Sequence, residues 1–590
     1  MGAASDEGTS VAVRRGIWVV VFLLGCAVLL SAALVAFSWV AFSRPPGVPD
    51  KGVLVLKIQG DLEEISTNPF DALVHEPVTV RSITEALRAA KTDPRVTGVL
   101  LKPIQAPALW GKVQELRDAL VDFRSSGKPL VAFLEYAGDR EYVLASAATR
   151  VVLVPPGQLN LTGLASYQVF LRGTFDMVGA QPDLLHIGDY KTAVNTFTEK
   201  GFTPAHREMT ESLNHDAFEQ LLGVVASARK KTVDEVRTLV DQGPMLPDAA
   251  LGHGLVDDVA YFDEIGKTSG LGDRFSELPL EQYLTLMPAA RPSLTAPKVA
   301  VLYAVGTIVS GSGGTGATGT EVGSDKLTEY IREVRNDDSI KAAVLRVDSP
   351  GGSTVASDVI WRELMLLRAR KPLVVSMSDL AASGGYYIAM PGHVIVAQPG
   401  TLTGSIGIFS GKFVVGGTYN KLGMTIEAVS EGKYAEMYSG ARPFTADERV
   451  KVEEQMQAFY DQFVEKVAES RGSTPEKIDA VAQGRVWTGR QAREKGLVDE
   501  LGGLPRAIAI AQQRAGIAKD TTVQLVTYPP RPSVLEALSS TLGGGQSMRA
   551  SLGEALLSPQ DRETLASVRR PLQMLRRGEA LALLPWVFVR

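Results

Sequence analysis

Short apolar runs alternate with amphipathic segments along most of this 590-residue chain. The runs at 53–60 and 299–306 are largely apolar and each ends at a glycine, which is typical of buried parallel strands. Segments 113–123 and 359–367 place apolar residues three or four positions apart, which predicts helices. Strands that alternate with helices indicate an α/β fold whose parallel sheets carry helices on both faces.

The same pattern occurs twice, at an offset of about 242 residues. Lys-Pro-Leu-Val occupies 128–131 and 371–374, and other short matches follow in the same order at nearly the same offset. One such match is easily a coincidence, but an ordered series is not. We therefore expect two similar halves, joined by the Pro-rich stretch 287–297.

The chain is expected to consist of five consecutive parts. A cytoplasmic N-terminus precedes a transmembrane helix, two similar α/β halves follow, and a less regular tail ends the chain. These parts are residues 1–16, 17–42, 51–287, 298–520 and 521–590. Within the tail, the apolar stretch 581–589 is expected to pack against the protein, which we favour over contact with a membrane surface.

Residues 17–42 contain no charged side chain. A helix of this length exceeds the roughly 30 Å hydrocarbon core of a bilayer. Arg14 and Arg15 precede it, which weakly favours a cytoplasmic N-terminus. The rest of the chain would then lie outside the membrane, in the periplasm if the cell is Gram-negative.

Two other interpretations of this segment compete with a retained anchor. A cleaved signal peptide usually has an apolar core of about 7–15 residues, which is shorter than this run. Residues 23–26 resemble a lipoprotein cleavage site, but apolar sequence continues for 16 residues beyond Cys26. A retained anchor is therefore favoured.

Composition excludes several classes of function. The net charge is −5 and the isoelectric point is about 5.9, so the chain has no basic field that would attract nucleic acid. Its one cysteine, Cys26, excludes an intramolecular disulfide and Cys/His zinc sites.

Glycine-bearing motifs in the second half carry the candidate chemistry. Ser383 lies in Ala-Ala-Ser-Gly-Gly-Tyr-Tyr, after a predicted strand and before a predicted helix, where free N–H groups and a helix dipole favour a nucleophile. A serine nucleophile also needs donors for the oxyanion. The Gly384 N–H is one candidate donor, and the N–H of Gly351 or Gly352 is the other.

The base is expected from the first half of the chain. None of the six histidines lies in a recognisable triad motif, and a lysine can act as base when burial lowers its pKa. Aligning the repeats on Gly-x-Tyr places Ala435 opposite Lys191, so the serine-bearing half lacks this lysine. Aligning them on Phe-Thr instead pairs Lys191 with Lys433, which is the alternative base.

The first half, in turn, lacks the serine and glycine motifs of the second half. It has no serine at 138–142, where the Ser383 motif would repeat, and no Pro-Gly-Gly at 102–106. A complete site would therefore need residues from both halves.

These motifs resemble the long-form bacterial signal peptide peptidases, also called protease IV, and the similarity covers about residues 17–520. The motifs that carry it are Asp-Ser-Pro-Gly-Gly at 348–352, the Ser383 motif at 381–387, Thr-Leu-Thr-Gly-Ser-Ile-Gly at 401–407 and Tyr-Lys-Thr-Ala-Val at 190–194. The resemblance implies tandem ClpP/crotonase-like domains and a dyad of Ser383 and Lys191. It also implies that Ser405 hydrogen-bonds the lysine, and it implies no metal or other cofactor.

The resemblance further implies a homotetramer on the outer face of the bacterial inner membrane. Such enzymes degrade the hydrophobic signal peptides that remain after secretion. Two other functions stay open at this point. An enzyme of the same fold could be an acyl-CoA hydratase or isomerase, and a non-catalytic membrane scaffold could use the duplication for assembly alone.

Overall fold

The computed structural model describes residues 22–27, 29–31, 33–34, 51–60, 62–66, 78–105, 108–287, 296–316, 319–530, 580–584 and 588–589. Residues 22–27, 29–31 and 33–34 are helical. Among the described residues, no helix has the length and hydropathy needed to cross a bilayer. The predicted transmembrane segment 17–42 and the predicted linker 287–297 lie mostly outside the described residues.

The first half contains a parallel six-stranded sheet. The strands of the first half, in chain order, are β1 (Gly52–Gln59), β2 (Val96–Gln105), β3 (Leu130–Ala137), β4 (Arg150–Leu159), β5 (Ser166–Tyr167), β6 (Gln181–Ile187), β7 (Asp258–Val259) and β8 (Glu277–Pro279), of which β5 and β6 lie outside this sheet. The sheet order is β7-β4-β3-β2-β1-β8, and every pairing is parallel. β1 is almost wholly buried because helices cover both faces of the sheet.

Helices connect these strands. They are α1 (Val80–Thr92), α2 (Trp110–Arg124), α3 (Asp139–Ala145), α4 (Arg172–Val178), α5 (Asn195–Thr198), α6 (Pro204–Arg229), α7 (Val233–Val240), α8 (Pro247–Gly252), α9 (Ile265–Thr268) and α10 (Leu280–Leu286), with a 3₁₀ turn at Thr192–Val194.

The second half repeats this architecture. Its strands are β9 (Lys298–Val305), β10 (Thr307–Val309), β11 (Gly313–Gly316), β12 (Gly319–Gly323), β13 (Ile340–Ser349), β14 (Gly351–Ser353), β15 (Leu373–Ala382), β16 (Val394–Ala397), β17 (Leu402–Gly404), β18 (Ile408–Val414), β19 (Val486–Thr488), β20 (Glu500–Leu501) and β21 (Gln524–Tyr528). The main sheet runs β19-β17-β15-β13-β9-β21, with β16 also paired to β15 and β20. The order β16-β15-β13-β9-β21 matches β4-β3-β2-β1-β8 of the first half.

The helices of the second half are α11 (Ser324–Asn336), α12 (Thr354–Arg368), α13 (Gly384–Ala389), α14 (Gly416–Lys421), α15 (Ala446–Arg471), α16 (Pro475–Asp479), α17 (Gly489–Glu494) and α18 (Leu504–Arg514). α6 and α15 each have 26 residues. Thr203 and Thr445 cap their N-termini by accepting backbone N–H groups, as N-cap threonines do.

A third sheet joins the two halves and the tail. The tail contributes β22 (Leu581–Leu583), and a second short strand, β23 (Phe588–Val589), pairs with β5. The order of the third sheet is β11-β12-β10-β14-β22-β18-β6, so first-half β6 lies antiparallel to second-half β18 along seven residue pairs. This pairing brings the chain that follows β6 next to the motifs of the second half.

Buried charges lie where the two halves meet. Arg346 on β13 is fully buried, and its Nη2 lies 2.7 Å from a Glu64 oxygen and 2.8 Å from a Glu115 oxygen. Burial alone would raise the pKa of Glu64, but the charge and hydrogen bonds of Arg346 outweigh burial and lower it to about 2. The second-half arginine is thus held by two first-half carboxylates.

Asp379 of the second half caps a first-half helix. The N-cap residue of α2, Leu109, has no side chain that can accept a hydrogen bond. Instead, the Asp379 carboxylate accepts the backbone N–H groups of Leu109 and Lys112 at 3.0 and 2.8 Å. The orphan N–H groups at the start of α2 are therefore satisfied only when the halves are docked as observed.

Candidate active site

Ser383 lies at a sharp turn between a strand and a helix. β15 ends at Ala382 and α13 begins at Gly384, so the serine lies between a strand and a helix, as the sequence predicts. The φ angle of Ser383 is +56°, which is uncommon for a residue with a side chain. Its own N–H donates to the Gly404 carbonyl at 2.8 Å, which fixes the turn.

Lys191 reaches the same point from the first half. It follows β6 and precedes the 3₁₀ turn at Thr192–Val194. The Tyr190 N–H donates to the Gln483 carbonyl at 2.9 Å, so the lysine loop is attached to the second half directly beside the lysine.

Two glycines permit this close approach of backbones. A Cβ atom on Gly484 would lie 2.4 Å from the Lys191 nitrogen, and one on Gly188 would lie 2.4 Å from the Gln483 carbonyl carbon. Both glycines also have positive φ. Any larger residue at either position would push the lysine loop away from the second half.

The lysine amine and the serine hydroxyl are in contact. Lys191 Nζ lies 2.7 Å from Ser383 Oγ, and both residues are completely buried. This is hydrogen-bond distance, so a neutral amine can accept the hydroxyl proton directly.

Ser405 completes the surroundings of the amine. Its Oγ and its carbonyl oxygen lie 3.0 and 3.1 Å from Lys191 Nζ. Ser405 also has a positive φ, and its N–H donates to the Arg485 carbonyl at 2.7 Å. Within the described part of the chain, every hydrogen-bond partner of Nζ is a neutral oxygen.

This environment disfavours the charged form of the amine. Burial lowers the pKa of Lys191 well below its usual value near 10.5, because the ammonium loses its hydration. The site therefore holds a neutral amine more readily than an ordinary lysine does, which is the property a general base requires.

The candidate oxyanion donors differ in their availability. The Gly351 N–H donates to Ser349 Oγ at 3.1 Å. Gly352 and Gly384 lie close together, since a Cβ on Gly384 would be 3.0 Å from the Gly352 nitrogen. The geometry therefore favours the pair Gly352 and Gly384 for binding one oxygen.

Comparison with known proteins identifies the chain. The model of peptidase family S49 matches residues 122–269 and 365–518. The chain belongs to peptidase family S49.

Two relatives of this S49 peptidase match most of its length, and a third matches a shorter part. "Serine protease SPPA, chloroplastic" of Arabidopsis thaliana is 35% identical over 86% of this chain and 76% of the relative. "Protease 4" of Salmonella typhi is 34% identical over 80% of this chain and 77% of the relative. "Putative signal peptide peptidase SppA" of Enterococcus faecium is 33% identical over 29% of this chain and 50% of the relative.

The chain is thus a serine peptidase with an α/β fold and two S49 segments. The family match favours this class over an acyl-CoA enzyme and over a non-catalytic scaffold.

The structure places Lys433, the alternative base, far from this chemistry. Its side chain is 65% exposed, and its Nζ lies 2.7 Å from an Asp447 oxygen. Lys433 is a surface ion-pair residue, and Lys191 is the lysine that contacts Ser383.

Sequence reasoning missed two features of the site of this S49 peptidase. Gly484 was not singled out, because a lone glycine gives no indication of what packs against it. The strand β22 was expected only as a packed terminal segment, although it forms part of the sheet beside Gly351 and Gly352.

Substituting Gly484 by alanine should displace Lys191. The new Cβ would meet the lysine backbone, so we expect at least a tenfold loss of kcat/KM on a hydrophobic peptide. Gly472→Ala is the matched control, since Gly472 also has positive φ but its Cβ would meet nothing within 4 Å. Equal losses in the two variants would show that backbone strain, and not displacement of the lysine, governs activity.

Proposed function

We propose that this S49 peptidase hydrolyses hydrophobic peptides, including signal peptides left after secretion, with Ser383 as nucleophile and Lys191 as general base. The observation that carries the proposal is the 2.7 Å distance between Lys191 Nζ and Ser383 Oγ inside a fully buried site. Serine peptidase activity follows from the family, whereas the residue roles and the substrate class are proposals.

The first half of the proposed reaction forms an acyl-enzyme. The Ser383 hydroxyl donates its proton to Lys191 Nζ while Oγ attacks the carbonyl carbon of the scissile peptide bond. The N–H groups of Gly352 and Gly384 donate to the oxygen that becomes negative, and each such donor is typically worth about 10²–10³ in rate. The protonated Lys191 then gives its proton to the departing amine.

The second half releases the product. Lys191, neutral again, accepts a proton from a water molecule that attacks the ester carbonyl. The ester bond breaks, Ser383 Oγ regains its proton, and the carboxylic acid product leaves. Ser405 orients the amine throughout, because its two oxygens hold Nζ towards Ser383.

Apolar residues near Ser383 support hydrophobic substrates. One buried cluster groups Met209 and Leu213 with Val486 and with Ala382, the residue before Ser383. A separate cavity of about 120 Å³ is lined mainly by apolar and aromatic side chains, with Thr354, Asp358 and Gln462 as its polar members. Together with the names of the relatives, these surfaces support cleaved signal peptides as a substrate class.

Membrane attachment extends the proposal. Residues 17–42 would span the bacterial inner membrane once, with the catalytic part on the periplasmic side and four copies forming a homotetramer. Deleting residues 1–46 should then move the protein from the alkali-resistant membrane fraction to the supernatant, while the purified protein sediments as four subunits. A deletion variant that stays in the membrane fraction would rule out this segment as the anchor.

Removing either member of the dyad should abolish peptide hydrolysis. We expect Ser383→Ala and Lys191→Met each to lower kcat/KM at least about 10³-fold, with circular dichroism unchanged. Methionine fills the volume of the lysine stem without an amine, so Lys191→Met tests the base and not packing. Lys433→Ala is the control and should retain full activity, whereas its inactivity together with an active Lys191→Met would reassign the base.

The pH dependence of kcat/KM should report the base. Burial lowers the pKa of Lys191, and below that pKa the amine is protonated and cannot accept the serine proton. We therefore expect kcat/KM to fall about tenfold per pH unit on the acidic side and to level off above the pKa. A profile that rises towards acid would exclude a neutral amine as the base.

A further inference from the structure

The two central strands of the second-half sheet pair irregularly near their carboxyl ends. Val347 of β13 pairs with Met377 of β15, but the next pair is Ser349 with Ala381. Asp348 therefore lies opposite three residues of β15, and the ladder has a bulge there. A bulge interrupts the backbone hydrogen bonds of a ladder, so other groups must hold the two strands together at this point.

This bulge comes directly before the two candidate catalytic motifs. Gly352 lies four residues beyond Asp348 on one strand, and Ser383 lies four residues beyond Asp379 on the other. The donors for the oxyanion and the attacking hydroxyl must face the same peptide carbonyl. The distance between the two strands at the bulge therefore influences the distance between the nucleophile and its oxyanion donors.

The Asp348 carboxylate spans the bulge and is itself held by a first-half lysine. Its Oδ1 accepts the Leu380 N–H at 3.1 Å, which replaces a missing ladder bond. Its Oδ2 lies 2.7 Å from Lys112 Nζ on α2. The side chains of Lys112 and Asp348 are only 11% and 10% exposed, so solvent ions screen this ion pair weakly.

Lys112 also reaches the carboxylate on the other strand. Its Nζ lies 3.7 Å from Asp379 Oδ2, and Asp379 is the residue that caps α2. Burial raises the pKa of Asp379 to about 6, the charge of Lys112 opposes this rise, and the charge of Asp348 adds to it. Without the ammonium, the two carboxylates would repel each other across the bulge.

Close packing places the first turn of α2 directly on the bulge. A Cβ atom on Gly111 would lie 2.7 Å from the Ser378 carbonyl oxygen and 3.1 Å from Asp379 Cα. The same Ser378 carbonyl accepts the Thr401 hydroxyl at 2.6 Å, and Thr401 begins the motif that contains Ser405. The start of α2 is therefore packed where all three second-half motifs are held together.

We propose that Lys112 is a positioning residue for the proposed reaction. Its ammonium holds Asp348 and Asp379 together across the bulge, and this sets the distance between the oxyanion glycines and Ser383. The inference rests on the proposed function, because it takes these groups to be the donors and the nucleophile. The first half then contributes twice to catalysis, through the base Lys191 and through this lysine.

Lys112→Met tests the proposal, since it removes the ammonium and keeps the volume of the stem. We expect kcat on a hydrophobic peptide to fall about 10- to 100-fold, because a misplacement of about 1 Å costs about 10²-fold. KM should change less than about threefold, because the surfaces that bind the peptide are unaltered. An unchanged kcat would overturn the proposal.

A transition-state analogue reports the oxyanion donors directly. A peptide boronate forms a tetrahedral adduct with the serine, and this adduct uses the same donors as the transition state. Its affinity should fall in Lys112→Met by about the same factor as kcat. A boronate affinity equal to that of the unaltered chain would contradict a role in positioning the donors.

The pH profile separates positioning from a merely structural role. If the loss of Lys112 only loosened the docking of the halves, water would reach Lys191 and raise its lowered pKa. The acidic limb of kcat/KM would then move to higher pH. We expect this limb to stay at the same pH in Lys112→Met, and a shift of about one unit or more would contradict the positioning role.

A double variant guards against misfolding around an unpaired carboxylate. Lys112→Met combined with Asp348→Asn removes both charges and keeps a side-chain oxygen for the Leu380 N–H. Because Lys112 is proposed to act through Asp348, kcat of the double variant should lie within about threefold of that of Lys112→Met. If the losses of the two single variants multiply instead, the residues act independently and the proposal is wrong.

Lys102→Met is the matched control. Lys102 is another largely buried lysine of the first half, with a side chain that is 18% exposed, and it contacts Glu135, Phe133 and Phe262 of the same half. This variant should keep kcat within about twofold of the unaltered chain. A loss as large as that of Lys112→Met would show that the effect does not depend on the bulge.

Labelling by a small fluorophosphonate separates this inference from the proposed function. If the unaltered chain is not labelled at Ser383, the proposed nucleophile is wrong. If it is labelled and Lys112→Met hydrolyses the peptide with the same kcat, the nucleophile stands and the positioning role of Lys112 does not.

Discussion

An uncharged lysine amine, buried against a serine hydroxyl, is the interaction on which this site depends. An ammonium in the same place would lose its hydration and gain only neutral oxygens as partners, which disfavours the charged form. The amine comes from one half of the chain and the hydroxyl from the other. The contact between the amine and the hydroxyl therefore forms only when the two halves are docked as observed. Much of the fold serves to hold the halves in that arrangement.

Charged and polar groups specify the docking more than they stabilise it. Buried ion pairs such as that of Arg346 with Glu64 recover through attraction roughly what they lose in hydration, so their net contribution to stability is small. A displaced interface would leave those charges unpaired and the N-terminus of α2 uncapped by Asp379, which costs several kcal/mol. The antiparallel pairing of β6 with β18 then sets the register between the two halves. The close contact between Gly484 and Lys191 fixes the position of the lysine loop.

Sequence patterns predict the elements well because these depend on local chemistry, and together with the repeat they single out Ser383 and Lys191, two side chains that the structure brings into contact. The helix predicted at 113–123 forms as Trp110–Arg124, and Ser383 lies where its motif places it, between a strand and a helix. The repeats favour Lys191 but leave Lys433 as the alternative base, since a second alignment pairs these two lysines. Only the packing of the lysine loop on Gln483 and Gly484 distinguishes them, and that contact is between residues about 290 positions apart.

The tail shows the same limit, and it also packs against the loop that carries Lys191. The sequence predicts that the apolar stretch 581–589 packs against the protein, but nothing in it says that residues 581–583 form a strand between β14 and β18. In the structure, the leucines of this strand pack with Ala193 and Val194, two and three positions after Lys191, so the tail adds apolar surface to the lysine loop. Burial is what lowers the pKa of Lys191, and apolar packing of the loop that carries it favours the uncharged amine in the same way.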